Sequence, residues 1–94
     1  MNNYISLSSL AMDLKRSAIG YQRNSTGMAE RFYFEALKRK KEIDKKYLAP
    51  YLITLLDEVE QLPKVEDSAQ KAEKSLTLST LFQNAAVYLA NNHK

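Results

Sequence analysis

The chain of 94 residues contains no cysteine, which removes disulfides and thiolate chemistry from its repertoire. That composition fits a reducing compartment, and a cytoplasmic location is the expectation. Glycine and proline are scarce, two of each. An all-β domain of this size would need several tight turns built on those residues, so the scarcity favours helices. No run of 18 apolar residues occurs, and no basic segment precedes an apolar block at the N-terminus. Neither a membrane-spanning helix nor a signal peptide is therefore expected. The Asn24-Ser25-Thr26 acceptor pattern then reads as accidental.

What remains is 45% hydrophobic and 27% charged, the balance of an ordinary globular chain and not a disordered one. Its length suits one domain, residues 1–94. A chain so short buries only about two-thirds of its unfolded surface, so pairing with a second copy would offset a modest stability. The formal net charge is +3, but it is unevenly spread. Residues 15–46 hold ten basic and four acidic side chains, whereas residues 57–73 hold six acidic and two basic. Such halves can pair within one chain, between copies or with an acidic partner.

Hydrophobic spacing predicts four helices. In "SLSSLAMDLKRSAIGYQRN", Leu7, Leu10, Ala11, Leu14, Ala18 and Tyr21 share one arc, with Ser6, Ser8 or Ser9 as N-cap. Met12 and Ile19 fall almost opposite, seven residues apart. A turn is expected over "QRNSTG". The second helix is predicted over 28–48, with Ala29, Phe32, Tyr33, Ala36, Leu37, Ile43 and Tyr47 inward. Lys40 and Asp44 intrude on that arc and, four apart, are expected to pair. Pro50 breaks the pattern, so a corner is expected at 48–50, then a third helix burying Leu52, Leu55, Leu56, Val59 and Leu62. Pro63 ends it. In the last helix, Val65, Ala69, Ala72 and Leu76 share one face, and Leu78, Leu81, Phe82, Ala85, Tyr88 and Leu89 lie roughly opposite. That mismatch predicts either a kink near 75–80 or a straight helix buried on both sides. No formally charged residue occurs between Lys74 and Lys94, which suits a bundle centre or a dimer seam.

Two surfaces stand out as candidates. Arg31, Lys38, Lys41 and Lys45 form a basic stripe on the second helix, a phosphate-tracking face if it meets nucleic acid. The plainer reading is a solvated face laced by Glu35 to Arg39 and Glu42 to Lys46 pairs. Phe34 falls on the polar side between Lys38 and Lys41, the mark of an intermolecular contact or of a cover for a neighbouring loop. Tyr47, Tyr51 and Tyr88 read as residues of the core edge. Catalysis finds little footing: His93 sits in a terminal tail, and Asp57, Glu58 and Glu60 lack the inward Glu-x-x-His pairs of a di-metal bundle.

The expectation is an all-α, four-helix antiparallel bundle. It would act without catalysis, cofactor or metal, as a homodimer or with a protein partner. The contact residues named by the pattern are Met12, Ile19, Phe34, Leu78, Phe82 and Tyr88. The alternative is a nucleic-acid accessory role through Arg31, Lys38, Lys41 and Lys45. No small-molecule substrate or membrane is implied.

Overall fold

Four helices, α1 (Tyr4–Gln22), α2 (Thr26–Glu42), α3 (Pro50–Gln61) and α4 (Ser68–Asn92), pack into a bundle about 42 Å long and 19 Å across. The computed structural model describes residues 3–92, and no strand occurs among them. α1 lies antiparallel to both α2 and α4. Leu7, Leu10 and Leu14 of α1, Leu56 and Val59 of α3, and Phe82 of α4 fill the centre and are fully buried.

Small residues bring the backbones together on both flanks of α1. Toward α2, the Ser17 hydroxyl donates to the Ala29 carbonyl at 2.9 Å. One turn on, a Cβ on Gly20 would stand 2.7 Å from the Ala29 nitrogen, closer than real side chains come to backbone. Toward α4, the Ser79 hydroxyl donates to the Ala11 carbonyl at 2.6 Å. The α1–α2 turn is closed by the Ser25 N–H donating to the Gly20 carbonyl at 2.8 Å. Asn24 adopts φ 57° there, a left-handed conformation that its short polar side chain tolerates.

α1 begins at Tyr4, before the expected serine caps. Asn3 occupies the cap position, and its carbonyl accepts from the Leu7 N–H at 2.9 Å. Its side chain is spent elsewhere. The amide donates to the Asp44 carbonyl at 2.9 Å and accepts from the Asp44 N–H at 3.0 Å, satisfying both backbone groups of one residue.

That clamp fixes where α2 ends. α2 stops at Glu42, six residues short of the expected end. Ile43 is extended, with φ −80° and ψ 127°, and buries its side chain in the core. Asp44 then caps a 3₁₀ turn, Lys45–Tyr47, by accepting from the Lys46 N–H at 3.0 Å. Asp44 is therefore not paired with Lys40, whose ammonium lies 3.4 Å from Glu60 instead. Tyr47, expected inward, is turned out.

The corner at residues 48–50 is present. Leu48 and Ala49 are extended, and Pro50 opens α3 where its missing N–H has no helical partner to lose. α3 buries Leu52, Leu56 and Val59 as spaced, with Leu55 partly covered. A second 3₁₀ turn, Leu62–Lys64, contains Pro63 and leads to α4.

α4 is one uninterrupted helix of 25 residues, so the chain does not break near 75–80. The two apparently opposed faces are joined by serines. Ala72, Ser75, Ser79, Phe82 and Ala86 form a buried ridge flanked by Leu78 and Ala85. Leu76 and Ala69, expected inward, are exposed. The Ser75 hydroxyl is fully buried without a hydrogen-bond partner.

Two stability measurements follow from this packing. Gly20→Ala should destabilise by about 1–3 kcal/mol, because the obstructing atoms are backbone and cannot swing aside. Gly27→Ala, with nothing within 4 Å of the added methyl, should instead stabilise by about 0.5–1 kcal/mol through helix propensity. Urea melts of both variants check the pair, and equal shifts would refute the close approach. Ser75→Ala should raise stability by about 1 kcal/mol, since it deletes a buried hydroxyl that has lost water and gained nothing. A loss would mean that the hydroxyl is hydrogen-bonded in solution.

Candidate interaction surface

An apolar recess lies where the chain passes from the 3₁₀ turn into α3 and meets the end of α4. Tyr47, Tyr51 and Tyr88 surround a cavity of about 380 Å³ whose floor is Leu48, Leu52 and Leu89. The three tyrosines are 66, 60 and 67% exposed. Tyr47 and Tyr51, expected at the core edge with their hydroxyls in water, are thus more open than that, and Tyr88, expected also as a contact residue, is exposed. Tyr47 is turned out because α2 ends early and the 3₁₀ turn rotates it away from the arc of Ala36 and Ile43. Its ring carries the Lys46 ammonium 5.6 Å from its centroid. Lys45 is on the same turn, so one edge of the recess is cationic.

Phe34 is 59% exposed and borders a second recess of about 320 Å³ with Tyr21, Leu62 and Pro63. Its ring lies 6.3 Å from that of Tyr33. Tyr33 itself is buried, and its hydroxyl donates to the Val59 carbonyl at 2.9 Å. Burial foremost, then the Glu60 charge, holds this phenol above its ordinary 10.0, so it remains a neutral donor.

The other expected contact residues divide sharply. Met12 is exposed and Ile19 half-buried on the outer side of α1. Leu78 and Phe82 are not available to any partner: each is buried within the single chain. They were expected at a seam because the uncharged stretch does not reveal which of its sides the chain itself covers. His93 lies outside the described residues.

The basic stripe is not continuous. Lys38 lies 3.5 Å from Glu35, Lys41 is exposed, and Lys45 has left the helix for the 3₁₀ turn. Arg31 instead stands 5.7 Å from the Phe32 ring, which Arg16 of α1 approaches at 5.5 Å from its own position. The expected Glu35 to Arg39 pair is replaced as well. Arg39 reaches Glu42 at 3.4 Å and crosses to Asp13 of α1, its Nε 3.8 Å from the carboxylate.

Asp13 was not singled out by its spacing, yet it is buried. Desolvation raises its carboxyl above the ordinary 3.8, outweighing the attraction of Arg39 and Arg16. Among the described residues no cluster of three or more His, Asp or Glu side chains could hold a metal ion, and no helix is long and apolar enough to cross a membrane. No protein-family model, curated protein or solved structure matches this chain.

The raised Asp13 carboxyl has a defined signature. The folded state binds this proton more tightly than the unfolded state, so the contribution of Asp13 to stability falls as pH rises from 3.8 through the higher folded value. Asp13→Asn should therefore gain on the native protein across that window and hold the gain at neutral pH. Paired denaturant melts at pH 3 and pH 7 measure it. A gain at pH 3 that vanishes at pH 7 would invert the assignment.

Proposed function

We propose that this protein is a non-catalytic interaction module. It binds a protein segment in the tyrosine-lined recess at the α2–α3 corner. The carrying observation is three exposed tyrosines around a leucine floor. Aromatic side chains supply large contact area with little rotamer entropy to lose, and tyrosine is enriched where binding energy concentrates. The rim is held on helix ends and on a 3₁₀ turn clamped by Asn3, so little ordering cost attends binding. A cavity of about 380 Å³ suits one or two bulky apolar side chains. Lys45 and Lys46 beside it favour a segment whose anchor is flanked by Asp or Glu.

Stacked aromatics beside lysines are also the chemistry of single-stranded nucleic acid, so Tyr47 with Lys46 supports that second reading. Selection from a displayed random-peptide library separates the two. The expected outcome is peptides with an aromatic or leucine anchor and an acidic flank, shifting the amide resonances of Leu52, Ala85 and Leu89. Tyr51→Ala should then weaken the selected peptide at least about tenfold, with helicity and melting unchanged. Resonance shifts confined to the Phe34 recess, or no enrichment at all, would overturn the proposal. Tight binding of an oligo-dT strand that collapses with added salt would establish the nucleic-acid reading in its place.

A further inference from the structure

The outer side of the α1–α4 layer differs in chemistry from the rest of the surface. On α1, Ile5, Met12 and Ile19 recur every seven residues along one line, about 10.5 Å apart at 1.5 Å per residue. Ile5 and Met12 are exposed, and Ile19 is half-buried. Across the groove, α4 presents Leu76, Thr80 and Val87. From Ser75 to Asn91 the exposed residues of α4 include no charge, whereas a solvated helix face normally carries several.

The polar groups of this face are already partly satisfied. The Thr80 hydroxyl donates to the Leu76 carbonyl at 3.1 Å, so covering it costs little. A recess of about 240 Å³ between Met12, Leu76 and Thr80 offers space for a side chain from outside.

We infer that a second copy of this chain covers this face, in an antiparallel two-fold pair. The spacing of the α1 line is the reason. Ile5, Met12 and Ile19 read the same in both directions, so a two-fold axis through Met12 lays Met12 against itself and Ile5 against Ile19 of the partner subunit. An isologous interface requires such self-complementarity, and residues seven apart stay within about 20° of one line along a helix. Lys15, the one charge bordering the groove, falls off the axis, so the two lysines do not meet.

This pairing uses none of the tyrosines of the proposed partner recess, so either conclusion can fail alone. Light scattering on the size-exclusion peak should give twice the chain mass of 10.8 kDa. Met12→Glu should shift it to the monomer with helicity and melting retained, weakening association at least about tenfold. Leu76→Glu should do the same from α4, and Tyr51→Ala should leave the dimer intact. Under mild oxidation Met12→Cys should cross-link to itself. Ile5→Cys should cross-link to an Ile19→Cys chain and not to another Ile5→Cys chain. A monomer at 100 µM, or a dimer untouched by both glutamates, would overturn the inference. Self-cross-linking of Ile5→Cys would overturn the antiparallel arrangement.

Discussion

The bundle depends on how closely α1 is approached from both sides. On one flank Gly20 and Ser17 let α2 settle against its backbone; on the other, Ala11 admits the Ser79 hydroxyl of α4. Hydroxyl-to-carbonyl bonds at these contacts add direction to what would otherwise be only small-residue packing, and each is shielded from water. Larger side chains at these positions would force the helices apart and leave voids around Leu7, Leu10 and Leu14. The tight layer of α2, α1 and α4 is thus the condition for the fully dry leucine centre.

α3 is held differently. Its contact with the layer runs through long side chains, with Leu52, Leu56 and Val59 reaching toward Phe82 and the α1 leucines. Salt bridges at its margin join a mostly covered Lys40 to an exposed Glu60 and a half-exposed Lys74 to Glu58, and with at least one partner open to water each contributes little. A helix spaced out by large residues leaves clefts at its ends, and the tyrosine recess is one of them. The recess therefore follows from the same unevenness of packing that makes the other layer tight. It opens where Pro50 and the Asn3 to Asp44 clamp force the chain to change direction.

The polar residues within the structure are not equivalent. Ser17 and Ser79 are buried and satisfied, while Ser75 is buried and orphaned. Asp13 and Arg39 meet across the α1–α2 crossing at a distance too long for a hydrogen bond, with burial already acting against the charge of Asp13. The pair marks the register of the two helices more than it stabilises them, in line with the desolvation that offsets most buried ion pairs.

Much of this was legible from residue order alone. Scarce glycine and proline, periodic leucines and the misaligned faces around Pro50 determined four helices and a corner, because these effects act within one turn of chain. The serine face of α4 was not legible. Ser75 and Ser79 look polar in a row of letters and behave as small core residues only once α1 lies against them. Nor could the spacing show that Asn3 would reach Asp44, 41 residues away, end α2 at Glu42 and turn Tyr47 outward. The same holds for the contact surfaces. An uncharged helix announces that something covers it, but only the packed structure decides that Phe82 and Leu78 face their own chain while Leu76 and Val87 do not. Local propensity and spacing belong to the sequence, whereas side-chain exposure is settled by which neighbour arrives first at each face.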